Sequence, residues 1–231
     1  MAIASRQFLG AAAWVAGVAV WLVLQLAAIA QWENPSYDWG KNYISDIGNT
    51  TCGPFTVPGG ESFYVCSPGH DLMNIGFVVS GALTALGAVL LWRYWPQSRL
   101  TRIAGVLFVL TGLGRVIVGF GPEDVNITMH MIGALAQSPS SVAVLLSAIA
   151  IRDTSPALAR TGMALGALGL VGAVLALGGQ AGITAFHLGV GPGLTERLSS
   201  HPIQVWLVVI GTAVMASAFK ASRRSEIPAT A

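Results

Sequence analysis

Residues 8–31, FLGAAAWVAGVAVWLVLQLAAIAQ, form an apolar run that contains no charged side chain. A membrane-spanning helix needs about 20 such residues to cross the hydrocarbon core of a bilayer. The closing AIA resembles a signal-peptidase site, but the apolar core is longer than the roughly 7–15 residues of a secretory signal. The stretch therefore predicts a retained first transmembrane helix, and a cleaved signal peptide is the open alternative.

Five further apolar stretches follow, and the composition is that of a membrane protein. Hydrophobic residues make up 54% of the 231 residues and charged residues only 10%, whereas soluble domains carry about 25% charged residues. The mean hydropathy is +0.67. We therefore predict an all-α integral membrane protein, a six-helix transmembrane bundle that forms a single domain over residues 1–231. The predicted helices are 8–31, 71–94, 103–120, 129–151, 161–178 and 203–220.

The basic residues are concentrated in alternate connections between these stretches. Because positively charged connections stay in the cytoplasm, the N-terminus and the C-terminus are both predicted to be cytoplasmic. The connection 32–70 then becomes a long outer loop. The placement of the charges and the net charge of +2 give no reason to expect a nucleic-acid partner. Nine of the twelve lysines and arginines lie on the predicted cytoplasmic side: Arg6, Arg93, Arg99, Arg102, Arg152, Arg160, Lys220, Arg223 and Arg224.

The outer loop contains both cysteines of the chain, Cys52 and Cys66. An even number of cysteines on the oxidising side of a membrane is typical of disulfide-bonded proteins. The sequence therefore predicts a disulfide that closes the segment between them, with two free thiols as the alternative.

Polar residues collect near the predicted outer ends of the helices, beginning with NYISDIGNTTCG at 42–53. Arg115 lies within the third apolar stretch, where a charge usually has a partner or reaches water. Its predicted partner is Asp46, Glu123 or Asp124, and the alternative is a side chain that extends to the interface. We predict an outward-facing polar vestibule formed by Asn42, Ser45, Asp46, His70, Asn74, Arg115, Asp124 and His130.

The histidines allow a hypothesis about metal binding. His70, His130 and His201, together with Asp46, come from separate helix ends and would form an open zinc site if they converged. No HxxxH or HExxH spacing supports this arrangement, and histidines satisfied by water or carboxylates are commoner. Ser45 as a nucleophile with a histidine base is less favoured, because the adjacent Asp46 is badly placed to orient that base.

The fourth apolar stretch contains the sequence AQSPSS, with Gln137 and Ser138 before Pro139. Polar groups at this depth must be satisfied within the protein or by water. One interpretation is a kinked helix that lines a polar cavity. The other is that the serine hydroxyls bond the carbonyls of their own helix.

Several motifs, taken in their order along the chain, resemble those of one protein family. They are NYISDIGN, LMNIGFVVSGAL, GLGRVIVGFGPED, HMIGA and GLTERL before a helix with Trp206. The chain resembles, over about residues 10–220, the bacterial and archaeal membrane proteins catalogued as domain of unknown function 998. ISDIG is also similar to the ISDTG of the FGF-receptor-activating and autophagy-modulator membrane family. The resemblance implies a multi-pass protein of the bacterial plasma membrane with a link to lipids, and residues 50–68 are an addition to the usual pattern that suggests a partner surface.

Two classes of function follow. The favoured one is a lipid-binding protein or an accessory subunit of a membrane complex, with no cofactor and a protein partner at 50–68. The alternative is a membrane-embedded lipid hydrolase or transferase that could depend on zinc. A solute transporter is not supported, because no pair of glycine- or proline-broken helices in matching halves indicates an inverted repeat.

The predicted orientation can be tested by cysteine labelling in intact cells, after both native cysteines are replaced. A cysteine at Ser98 or Ser222 should not react with a membrane-impermeant thiol reagent, because both positions lie on the basic side of the bundle. A cysteine at Ser62 should react. Labelling at Ser98 and Ser222 would contradict the orientation.

Overall fold

The computed structural model describes residues 3–56 and 62–225 and consists mainly of long helices. Within these residues, six helical segments are long and apolar enough to cross a membrane, and α4 and α5 together form the fourth of them. The protein is therefore a helical protein with six candidate spans. The helices are α1 Ile3–Ile29, α2 His70–Leu90, α3 Arg99–Phe120, α4 Ile127–Gln137, α5 Ser140–Ala150, α6 Pro156–Gln180 and α7 Pro192–Ser225.

The largest departures from the predicted helices are in the fourth and the sixth stretch, and the other helix limits differ by up to five residues. The fourth stretch is interrupted at Ser138 and Pro139, so that α4 and α5 are separate helices. The last helix begins at Pro192 and not near 203, and it continues through Pro202. Proline is well tolerated in the first turn of a helix, and the polar residues of 193–201 are held by contacts with distant loops described below. Such contacts are not visible as a local pattern, which is why the sequence indicated a loop.

The bundle is held together by close packing of small and aromatic residues. Helix α1 packs against α2 and α7, α2 packs against α3, and α6 packs against α5 and α7. The core contains the fully buried side chains of Trp14 and Trp206. At the crossing of α2 and α3, a Cβ atom on Gly81 would lie 2.5 Å from the carbonyl oxygen of Gly112. Only glycine permits the two backbones to come this close.

The long connection between α1 and α2 contains a small hairpin. Strand β1, Gly53–Thr56, pairs antiparallel with β2, Ser62–Val65. The predicted disulfide between Cys52 and Cys66 is present and joins the two strands at their base. Residues 57–61 of the predicted partner surface lie outside the described residues.

The same connection also inserts into the helical bundle. Residues 42–49, which we call the inserted turn, are all buried, and Ser45–Gly48 form a short 3-10 helix. The inserted turn contacts α1 and α2. It lies at the end of the bundle that also carries the connections 121–126 and 181–191, which we call the loop end. The predicted outer end of the bundle is this loop end.

Candidate functional site

Side chains from α2 and from the residues just before it fix the inserted turn by donating hydrogen bonds to its carbonyl groups. Asn74 Nδ2 donates to Gly48 O at 2.9 Å, and Ser67 Oγ donates to Ile47 O at 2.7 Å. A buried carbonyl without a partner would cost about 1–3 kcal/mol, so these two bonds allow the backbone to enter the bundle. Asn74, predicted as a wall of the vestibule, therefore serves as an anchor of the inserted turn.

A pair of buried carboxyl groups joins the inserted turn to the connection 121–126. Asp46 Oδ2 accepts from the backbone N of Tyr43 at 2.8 Å and from Asn42 Nδ2 at 3.3 Å. The carboxyl groups of Asp46 and Glu123 are also within hydrogen-bonding reach of each other. Two carboxylates can share such a bond only if one of them holds a proton, because an ionised carboxylate is only an acceptor.

Burial raises the pKa of Asp46 above its usual value. Burial also raises the pKa of Glu123 well above its usual value, and the charge of Asp46 raises it further. Both shifts favour the protonated form, since removal from water destabilises a charged carboxylate. The pair therefore holds a proton in the folded protein at pH values where free carboxyl groups are ionised.

The first turns of α7 hold the inserted turn from the opposite side. The backbone N of Ile44 donates to the carboxylate of Glu196. Arg197 Nη1 donates to the carbonyl oxygens of Asn42 at 2.8 Å, Trp39 at 3.1 Å and Gly193 at 2.8 Å. The guanidinium also lies over the Trp39 ring, 5.1 Å from its centroid. Arg197 thus links α7 to the connection that precedes the inserted turn.

Asp124 is the anchor of the segment that follows the inserted turn. Its Oδ2 accepts from the backbone N and the hydroxyl of Thr50, at 2.8 and 3.0 Å. The same oxygen accepts from the backbone N and the hydroxyl of Thr51, both at 3.0 Å. Asp124 therefore fixes the loop at a distance from the bundle interior, and its contacts are those of a structural residue.

Arg115 is buried inside the bundle with neutral partners. Its side chain is 4% exposed, so it does not extend to the surface. Nε donates to Gln137 Oε1 at 3.4 Å. With the Gln204 amide oriented to satisfy both of its groups, Gln204 Oε1 accepts from Nη1 at 2.7 Å and also from Nη2. The guanidinium carbon lies 5.4 Å from the centroid of the Trp21 ring, a cation–π contact.

The predicted ion pair of Arg115 with Asp46, Glu123 or Asp124 is therefore wrong. The ion pairs found in the described chain do not include Arg115. The physical reason is that each of these carboxyl groups is already engaged by the inserted turn or by the loop that follows it. Amide oxygens and an aromatic face solvate the cation in their place.

A cavity of about 130 Å³ lies between Arg115 and the inserted turn. Of the eight residues predicted for the vestibule, Ser45, Arg115 and His130 line it. The structure does not place the other five in its wall: Asn42, Asp46, His70, Asn74 and Asp124. The polar lining is completed by residues that the vestibule prediction did not include: Thr111, Gln137, Ser138, Ser140, Gln180, Glu196, Ser199 and Ser200.

The break between α4 and α5 contributes part of this lining. Gln137 and Ser138 lie at the end of α4, Ser140 begins α5, and all three face the cavity. Ser138 Oγ also donates to Ala134 O at 3.2 Å. Both interpretations of the AQSPSS motif therefore hold, because the interrupted helix borders a cavity and one serine bonds the carbonyl of its own helix.

The three histidines of the predicted zinc site each have a local partner. The Nδ1 atoms of His70, His130 and His201 face the carbonyl oxygens of Ser67, Gly121 and Arg197 at 2.8, 3.0 and 3.0 Å. In residues 3–56 and 62–225, no group of three or more His, Cys, Asp or Glu side chains is placed to hold a metal ion. The zinc site of His70, His130, His201 and Asp46 stays a prediction without support from the geometry.

Sequence reasoning missed several residues of the site, although the sequence contains an indication of two of them, Thr111 and Gln204. Thr111 and Arg115 are four residues apart on α3 and so lie on one face of the helix. Gln204 is a polar residue inside an apolar stretch, which requires a buried partner. No local pattern indicates that Trp21, from the first apolar stretch, borders the same cavity.

The fold and the site together define a multi-pass helical membrane protein with a polar cavity near the loop end. The family described as Protein of unknown function (DUF998) matches residues 14–213, and the chain belongs to this family. No curated protein and no solved structure matches the chain.

The carboxyl pair predicts an unusual dependence of stability on pH. Because the folded pKa values of Asp46 and Glu123 are raised, the folded protein binds more protons than the unfolded chain above the ordinary carboxyl pKa. The free energy of unfolding should therefore fall as the pH rises from the ordinary carboxyl pKa towards the raised pKa values of the folded protein. The fall is about 1.4 kcal/mol per pH unit for each excess proton. Glu123→Gln should flatten this fall, measured by thermal unfolding in detergent between about pH 5 and pH 8.

The exposed Glu33 provides the control. Glu33→Gln should leave the pH dependence unchanged, and comparison of each variant with the parent protein removes the contribution of the histidines. An identical pH dependence in the parent and in Glu123→Gln would show that the pair does not hold the proton.

Proposed function

We propose that this chain is a lipid-binding membrane protein whose cavity holds the polar headgroup of a bilayer lipid. The observation that carries the proposal is the position of the cavity between α4 and α6. Helix α4 packs mainly on α3, whereas α6 packs on α5 and α7. Both helices line the cavity, yet within the described chain they make few close backbone contacts with each other. We infer that the cavity opens to the side between these two helices.

The edges of this opening are apolar and exposed. Leu135 of α4 is 57% exposed and Leu177 of α6 is 46% exposed, although both also line the cavity. In a bilayer these side chains face lipid, because both belong to candidate membrane spans. We call the gap between Leu135 and Leu177 the side portal.

A polar interior with an apolar entrance suits an amphiphile. A lipid could place its headgroup among Arg115, Gln137 and the serine hydroxyls, while its acyl chains stay in the bilayer beyond the side portal. A small soluble solute would gain nothing from the apolar edges. The cavity of about 130 Å³ is large enough for part of a headgroup, not for a whole lipid, so the tails must remain outside.

The role of an accessory subunit is part of the same proposal. The hairpin of β1 and β2 belongs to the predicted partner surface 50–68 and borders a groove lined by residues 35–42 and 62–64. The described hairpin residues do not line the cavity, so a protein partner and a lipid could be held at the same time.

The enzymatic alternative has less support from the geometry. The Ser45 side chain interacts with Glu123, and no hydrogen bond joins it to a histidine within the described residues. His130 Nε2 lies 3.9 Å from Glu123 Oε2, which is longer than a hydrogen bond. A nucleophile activated by a histidine needs a direct contact of that kind.

The proposal can be tested by narrowing the side portal. Leu135→Trp and Leu177→Trp should each reduce the amount of lipid that purifies with the protein, because the larger side chain obstructs the entrance. Lipid is extracted from protein purified in a mild detergent and quantified per polypeptide by mass spectrometry.

Matched controls lie on the same two helices. Ile132→Trp on α4 and Val174→Trp on α6 change exposed positions that do not line the cavity. They should retain the lipid content of the parent protein. Equal lipid content in all four variants and the parent would contradict the proposal.

A further inference from the structure

The cavity contains a buried cation whose charge is not neutralised by a contacting carboxylate. A guanidinium has five N–H donors. The amide oxygens of Gln137 and Gln204 take one from each nitrogen of Arg115, which leaves one further N–H on each Nη. An uncompensated charge at this depth costs a few kcal/mol, and an anion in the cavity would lower that cost.

The other unsatisfied groups around the cavity are also able to donate. Trp21 Nε1 and Thr111 Oγ1 are buried without a hydrogen-bond partner, and both residues line the cavity. Their side chains are only 2% exposed. An indole N–H is a donor only, and a hydroxyl can donate as well as accept. A ligand that satisfies the free donors of Arg115, Trp21 and Thr111 must carry several hydrogen-bond acceptors.

The acidic residue in the cavity wall does not neutralise the charge of Arg115. Glu196 also lines the cavity, but its carboxylate accepts from the backbone N of Ile44 and lies close to Arg197. The short Ile44 contact ties Glu196 to the inserted turn. The cavity therefore presents its free donors on the side formed by α1 and α3.

We propose that Arg115, Trp21 and Thr111 form an anion-binding site that takes the phosphate group of an anionic phospholipid. The inference rests on the proposed lipid-binding function and specifies the ligand. Guanidinium groups form charge-assisted hydrogen bonds with phosphate oxygens, and each of the two remaining Nη hydrogens can donate one such bond. The indole and hydroxyl donors would complete the coordination of the phosphate.

The site can be tested by native mass spectrometry of the purified full chain in detergent. Three probes are titrated: phosphatidylglycerol, phosphatidylcholine and inorganic phosphate. The parent protein should prefer phosphatidylglycerol over phosphatidylcholine by about tenfold, because both lipids carry the phosphate but Arg115 repels the positively charged choline group of phosphatidylcholine. Arg115→Gln should remove this preference, and Arg115→Lys should keep part of it because the charge remains.

Two milder substitutions keep the test valid if Arg115→Gln does not fold. Thr111→Val and Trp21→Phe each delete one donor and preserve most of the shape, so both should weaken phosphatidylglycerol binding without loss of folding. Their controls are Thr84→Val and Trp206→Phe, because these buried residues do not line the cavity. The Trp206 Nε1 is itself without a partner, which makes Trp206→Phe a close match for Trp21→Phe.

The possible outcomes distinguish the anion-binding site from the more general proposal that the protein binds lipid. Equal binding of both lipids by the parent protein would overturn the anion site and leave the lipid-binding function standing. No retention of either lipid would overturn both. Inorganic phosphate that binds as tightly as phosphatidylglycerol would support the anion site but overturn a lipid as its ligand. Unchanged phosphatidylglycerol binding in Thr111→Val, Trp21→Phe and Arg115→Lys together would also overturn the site.

Discussion

The structure depends on one constraint: polar groups carried into an apolar bundle must find their partners within the protein, because lipid offers none. The inserted turn, residues 42–49, brings a stretch of backbone and polar side chains into the loop end. Asn74 and Ser67 satisfy its carbonyl groups, and Glu196 accepts from its Ile44 N–H. These bonds make the ISDIG motif a structural element. They also explain why the first turns of α7, which supply Glu196 and Arg197, are helical and well packed despite their polar sequence.

Against this background, the groups that lack partners are informative. The carbonyls of Ile47 and Gly48 in the inserted turn accept hydrogen bonds, whereas Trp21 Nε1 and Thr111 Oγ1 have no partner. Both belong to the wall of one cavity, which also contains the guanidinium of Arg115. Other buried side-chain atoms, such as Trp206 Nε1 and the amide of Asn49, also lack a partner. The two donors in the cavity wall differ from these because they lie beside a guanidinium and a space in which a ligand could supply acceptors. The side portal between α4 and α6 provides a route by which such a ligand could arrive from the bilayer.

The sequence was sufficient to predict the candidate spans and the disulfide, and it named three residues that line the cavity. Apolar runs of about 20 residues identify spans because length is a property of local sequence. Arg115, Ser45 and His130 were recognised because polar residues near apolar stretches stand out. The partners of Arg115 were not, because amide side chains from α4 and α7 meet it only after the helices pack. The start of α7 was missed for the same reason, since its polar turns are satisfied by the distant connection before the inserted turn.

The most direct test of this account is photo-crosslinking of the full chain with phosphatidylglycerol that carries a diazirine close to the glycerol. The chain is reconstituted in nanodiscs, and the crosslinked peptides are mapped by mass spectrometry. Crosslinks should concentrate on the edges of the side portal, around Leu135 and Leu177, and should diminish in Arg115→Gln. Crosslinks distributed evenly over the exposed apolar positions of all helices, such as Leu113 and Val205, would contradict a specific lipid site.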